Sequence, residues 1–193
     1  VPRSKEFDPD VALEAALELF WERGYEATSM ADLVERLGVA KASIYATFGS
    51  KHDLYLKAID RYMGAKDAAV VESLSQPGPA LPAVRALVER YVAESVADER
   101  CRGCLVVNAA VERSPVDALV ARRVASSWDT LEVAMTTALV RARAQGELAA
   151  DSEPRALARL LLTLLQGIRV LARGASSAER LRDATTQAFR LLR

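Results

Sequence analysis

Apolar residues along the chain recur at spacings of three and four, and no stretch shows the strict alternation of a strand. Ala12, Ala16, Leu19 and Phe20 form the stripe of a first helix predicted over 10–23, with Gly24 as its stop. Ser29 is placed to cap a second helix, and Asp32 stands where a capping box has its acid. Met30, Leu33, Val34 and Leu37 repeat at helical spacing, and Gly38 follows where a helix end favours positive φ. A third helix is predicted over Lys41–Phe48, with Ile44 and Phe48 on its inner face. Gly49 stops it and Ser50 caps the next.

That next helix runs from Lys51 to about residue 73 and carries two stripes, Leu54, Ala58, Tyr62, Ala65 and Tyr55, Ile59. Two stripes imply contact with both a small N-terminal unit and a larger body. Gln76–Pro82 is punctuated by Pro and Gly and is expected to be a linker without helix. Further helices are predicted over 83–96, 105–112, 116–145, 154–173 and 178–192. The expected fold is all-α with about nine helices: a three-helix head over 1–50 and a helical body over 51–193.

Helices as short as the second and third cannot bury a core alone. The outer face of the third holds Lys41, Ala42, Ser43, Tyr45 and Thr47, which are small, hydroxyl-bearing or basic. Helix-turn-helix modules lay such a face in the major groove of double-stranded DNA. An ordinary helical hairpin with a polar outside is the alternative. Thr28 precedes the second helix, where a hydroxyl and free amides favour phosphate. Charge gives no general support, since the net charge is zero. Residues 1–57 hold seven basic and ten acidic side chains, so attraction to DNA must be local. Arg3 and Lys5 form a short basic arm able to reach a minor groove, with a disordered tail as the plainer reading.

Residues 15–56 resemble the N-terminal domain of TetR-family transcriptional repressors. The resemblance lies in the run A-x-x-L-F-x-x-x-G-Y-x-x-T-S-M, the Gly38–Val39 turn, and S-I-Y-A-T-F-G-S-K. It implies a ligand-responsive repressor, homodimeric on a palindromic operator, with an unidentified small-molecule effector and no cofactor. By this resemblance Thr28, Tyr45 and Lys51 match phosphate contacts, and Ser29 and His52 lie in the same DNA-facing segments. Lys41, Ala42, Ser43 and Thr47 are the candidates for base or adjacent backbone contacts. The fourth helix would link pocket to head, and the last two helices, about 154–192, would form the dimer. Ala40 departs from the usual capping Ser or Thr, and Val34 from a usual small residue.

Leu157, Leu160, Leu161, Leu162, Leu164, Leu165, Ile168, Val170 and Leu171 wrap most of one helix. Such a helix is buried on more than one side, against a partner copy or wholly inside a monomer. Polar or bulky residues within apolar helices, namely Asn108, Trp128, Met135, Gln166 and Arg169 together with Cys104, are candidates for an effector cavity. Cys101 and Cys104, flanked by Arg100 and Arg102, fit either a redox or electrophile sensor or simple apolar filling. With one histidine, His52, there is no metal cluster and no catalytic triad, and the chain is not read as an enzyme. Arg159, Thr163, Gln166 and Arg169 interrupt the most apolar stretch, which excludes a membrane span there, and cytoplasmic location follows by default. The competing function is a helical small-ligand-binding or protein-interaction module that does not bind DNA.

Overall fold

The computed structural model describes residues 7–174 and 178–192. Arg3 and Lys5 lie outside the described residues. Nine helices and no strand occur among the described residues. They are α1 Pro9–Arg23, α2 Met30–Leu37, α3 Lys41–Phe48, α4 Lys51–Ser75, α5 Ala80–Ala97, α6 Leu105–Glu112, α7 Ala118–Ala144, α8 Pro154–Arg173 and α9 Ala178–Arg190.

The head is punctuated by local chemistry. Asp8 caps α1, accepting from the Asp10 amide at 2.8 Å. Ser29 and Asp32 close a reciprocal capping box on α2, with the Ser29 amide donating to Asp32 Oδ2 at 2.7 Å and the Asp32 amide donating to Ser29 Oγ at 3.1 Å. Ser50 and Asp53 repeat that arrangement on α4. Gly38 adopts the left-handed conformation (φ 63°) and donates its amide to the Val34 carbonyl at 3.0 Å, which turns the chain between α2 and α3. α3 starts on Ala40 with no side-chain cap.

The serine hydroxyl, and then the serine amide, hold both box carboxyls below the usual aspartate range. A depressed folded pKa stabilises the fold above the unfolded value, about 4, and that contribution is lost as pH falls through the folded value. Ser50→Ala is therefore expected to destabilise the protein at neutral pH. Urea titrations at several pH values should show the gap to the parent closing below about pH 4.

Three elements depart from the sequence reading. The expected linker is interrupted, because α5 starts at Ala80 and carries Pro82 in its first turn. Proline is tolerated there, where its missing N–H has no helical partner to lose. The free amides of that turn are met from elsewhere, Ala80 by Gln145 Oε1 at 3.1 Å and Leu81 by Glu147 Oε2 at 2.7 Å. α7 starts at Ala118 rather than 116, because Asp117 caps it through the Leu119 and Val120 amides. On α4 the buried stripe continues through Val70 and Leu74, and Ala65 is exposed.

Two apolar clusters divide the interior. One gathers Phe20, Leu33, Ile44, Phe48, Leu54, Tyr55 and Ile59 from the head and α4, but also Leu105 and Ala109 of α6 and Val120 and Val124 of α7. The other holds Val84 and Val88 of α5, Met135 and Leu139 of α7, and Leu161, Leu165 and Ile168 of α8. They adjoin within α4, between Tyr62 and Val70. The head core is thus completed by the body, which fixes how the head is carried. Among the described residues no helix is long and apolar enough to cross a membrane.

Candidate nucleic-acid interface and body cavity

Ile44 and Phe48 anchor α3 in the head core, at 1% and 6% exposure. Their burial turns Lys41, Ala42 and Tyr45 outward and leaves Ser43 and Thr47 half-exposed. Lys41 Nζ lies 5.9 Å from the Tyr45 ring centre, so a cation and a phenol share one end of the face. Ser29 is exposed beside this face at the start of α2. The arrangement offers side chains suited to phosphates and base edges on a helix whose other side is fixed.

The acidic surplus of the head points elsewhere. Glu18 pairs with Arg102 and Glu22 with Arg100, each at 2.6 Å, and Glu26 pairs with Arg113. Asp10 and Glu14 both pair with Arg61 on α4. These carboxylates are matched against α4 and the body.

Three residues expected at the DNA face are placed differently. Thr28 is fully buried; its hydroxyl donates to the Gly24 carbonyl at 2.7 Å and its amide to the Tyr25 carbonyl at 3.3 Å. It fastens the turn before α2. His52 is turned into the body, with Nε2 2.6 Å from Asp117 Oδ2. Lys51 is half-buried, with Nζ 4.1 Å from the Tyr25 ring centre, and burial lowers its pKa. Fixing the start of α4 to the head–body contact uses groups that sequence alone assigns to DNA.

A cavity of about 40 Å3 lies inside the body. Its walls are Tyr62, Lys66, Asp67 and Val70 of α4, Tyr91 of α5, Cys104 and Val106, Ser127, Trp128, Thr130 and Leu131 of α7, and Gln166 and Arg169 of α8. Cys104, Trp128, Gln166 and Arg169 are thus brought together. Asn108 is not among them, since its amide donates to the Arg102 carbonyl at 3.0 Å and ties the preceding loop. Met135 is also outside the walls, fully buried in the apolar cluster of the body.

The cavity is electrostatically uneven. Arg169 is 7% exposed and donates to Glu94 Oε2 at 2.6 Å and Ser95 Oγ at 3.1 Å. Burial works against Glu94, yet hydrogen bonds from Arg169 and Lys66 hold its pKa below the usual glutamate range. Burial pushes Tyr91 up to about 12 and raises Tyr62, which also faces Cys104. Asp67 is raised by burial and is partly relieved by the Ser127 hydroxyl at 3.0 Å. The Trp128 indole N–H is buried with no hydrogen-bond partner among the described residues. From sequence Tyr62 reads only as part of the apolar stripe of α4, and Asp67 and Tyr91 carry no reading. An aspartate three residues before the buried Val70 was the available signal for Asp67.

Residues 12–58 match the family model of bacterial regulatory proteins of the tetR family, and residues 80–188 match the tetracyclin repressor-like C-terminal domain. The uncharacterized HTH-type transcriptional regulator YezE of Bacillus subtilis is 39% identical over 182 residues, 94% of each chain. The HTH-type transcriptional repressor ComR of Escherichia coli is 31% identical over 194 residues, covering 98% of this chain and 90% of its own. Among solved structures, a cysteine-substituted form of the TetR-family regulator CifR, complexed with 26-bp double-strand operator DNA, superposes with a TM-score of 0.88. It is 34% identical and covers 99% of this chain and all of its own. The chain therefore belongs to the TetR family of bacterial regulatory proteins.

Proposed function

We propose that the protein is a ligand-responsive transcriptional repressor that binds a palindromic operator as a homodimer in the cytoplasm. The observation that carries this reading is the outer face of α3, where Lys41 and Tyr45 stand exposed on a helix anchored by Ile44 and Phe48. A single eight-residue helix reads only a few base pairs. Two copies spaced by one helical turn of DNA, about 34–36 Å, supply useful affinity and specificity. The surface for pairing is α8, whose outward side presents Leu160, Val170 and Leu171 at 43%, 51% and 43% exposure, followed by Leu191 after α9 at 61%. Thr163 and Gly167 lie on the same side and permit close approach of a second helix.

The effector is proposed to enter the cavity between α4, α5, α7 and α8. At about 40 Å3 the cavity holds only a few water molecules. A small-molecule site typically offers about 300 Å3 or more, so occupancy must displace its walls. Asp67 offers an acceptor and the Trp128 indole an unmet donor, which favours an effector bearing both kinds of polar group. Binding energy that differs between the closed and expanded body then changes the population of the DNA-competent dimer.

The direct test is a mobility shift with the DNA upstream of the protein's own gene. A retarded band at nanomolar protein, resistant to excess unrelated duplex, is expected. Equal competition by unrelated duplex, or no retardation at any concentration where the protein stays dimeric, overturns the reading in favour of a helical ligand-binding module.

A further inference from the structure

We propose that the body takes up a small organic carboxylate with an apolar remainder, and that Glu94 of α5 is the internal carboxylate it displaces from Arg169. The proposal rests on the body cavity being the effector site. Beside that cavity lies a second, open space of about 330 Å3, walled by Trp21 of α1, Glu94 and Ser95 of α5, and Arg102 of the following loop. Tyr62, Lys66 and Arg169 line both spaces and so form the partition between them. The outer space alone reaches the size typical of a small-molecule site, about 300 Å3 or more. Glu94 is clamped to Lys66 and Arg169, two of the three partition residues, so displacing it loosens the wall that keeps the inner cavity small.

Three cations converge on one acid at this partition. Glu94 Oε2 accepts from Arg169 Nη2 at 2.6 Å and from Lys66 Nζ at 3.2 Å, and Arg90 Nε stands 4.0 Å from Oε1. None of the three pairs with a second acid among the described residues, so the cluster carries a positive surplus. Arg169 is 7% exposed, and its guanidinium lies 4.4 Å from the Tyr91 ring centre. Its Nε is buried with no hydrogen-bond partner among the described residues, as is the Trp128 indole N–H. Both unmet groups are donors, so the complementary ligand brings acceptors. A carboxylate matches a guanidinium edge through two parallel bonds. Glu94 makes only one of them, to Nη2, and a carboxylate seated across Nε and Nη2 makes both. Asp67 is the opposing acid of the inner walls; it accepts from Ser127 at 3.0 Å, and burial raises its pKa, which lessens its repulsion of an anion. The rings of Trp21, Tyr62, Tyr91 and Trp128 line the two spaces and suit the apolar remainder of the ligand.

The experiment follows tryptophan fluorescence of the full chain at constant ionic strength and without DNA. The chain has two tryptophans, Trp21 at the outer space and Trp128 at the inner one. The probes are sodium benzoate and benzamide, which has a similar shape and no charge. Benzoate is expected to change the emission saturably and to bind at least about tenfold more tightly than benzamide. Glu94→Gln keeps an acceptor for Arg169 but removes the competing charge, and is expected to tighten benzoate binding by about tenfold with benzamide unchanged. Should Glu94→Gln not fold in buffer, benzoate but not benzamide is expected to restore its melting transition; restoration by both or by neither overturns the proposal. Glu94→Gln combined with Arg169→Gln leaves neither charge of the pair alone in the interior and is expected to lose the preference for benzoate. A preference kept by that double variant takes Arg169 out of the site and overturns the proposal. Folded Glu94→Gln that binds benzoate no more tightly than the parent overturns it as well. Equal affinity of the parent for the two probes, no saturable response to either, or a stronger response to inorganic phosphate overturns the carboxylate class. The repressor function is decided separately, by the mobility shift, and survives any of these failures.

Discussion

Replacing Leu160 and Leu171 together with glutamate is expected to convert the protein to monomers and to reduce operator affinity by at least about 100-fold. Both side chains are 43% exposed in the single chain, so the substitutions leave the interior of each subunit untouched. The inner side of α8 is held separately by Leu161, Leu165 and Ile168, exposed by 2% or less. In a symmetric dimer each new carboxylate appears twice against an apolar surface. An unpaired buried charge of this kind costs several kcal/mol or is expelled by dissociation (order of magnitude only). Monomers must then bind half-sites independently, and the gain from tethering two heads disappears. Sedimentation equilibrium at micromolar concentration and operator anisotropy measure the two effects together. A variant that stays dimeric locates the interface elsewhere. One that is monomeric with parental affinity removes the need for two heads.

The same helix shows what was legible in the sequence. Apolar residues around nearly its whole circumference imply two buried sides, and the fold divides them into an inward set and an exposed set. The head was read nearly to the residue, because its signals are local. Capping boxes, the left-handed Gly38 and three-to-four spacing depend on neighbours within one turn. Signals that depend on distant partners were missed. Pro82 looked like a break, yet Gln145 and Glu147, more than sixty residues on, satisfy the amides around it. His52 and Lys51 carry the charge expected of DNA contacts, and the fold sets His52 against Asp117 and Lys51 over the Tyr25 ring, neither of which is near them in sequence.

The cavity illustrates the same limit. Cys104, Trp128, Gln166 and Arg169 were recoverable as polar or bulky groups in apolar surroundings. Asn108 fits that description equally well, but local loop geometry claims its amide. The excess of acid in the head argued against nucleic acid when summed, because a sum has no direction. In space, Glu18, Glu22 and Glu26 face arginines of the body.

Lys41→Ala combined with Tyr45→Ala is expected to abolish specific operator binding, by about 100-fold or more, with the melting temperature changed little. Both residues are exposed, and the core contacts that hold α3 come from Ile44 and Phe48. Each side chain lost at a phosphate or base edge costs roughly 1–3 kcal/mol, and a symmetric dimer loses it at both half-sites. Salt dependence separates the two contributions. Each phosphate contact neutralised by a cation contributes about −0.9 to the slope of log affinity against log salt. Lys41→Ala alone should therefore flatten the slope by nearly two units in the dimer. Tyr45 is uncharged, so Tyr45→Ala alone should lower affinity at every salt concentration with the slope unchanged. A shift of slope on removing Tyr45 but none on removing Lys41 would reverse the assigned roles. Unaltered affinity in the double variant would take α3 out of the groove altogether.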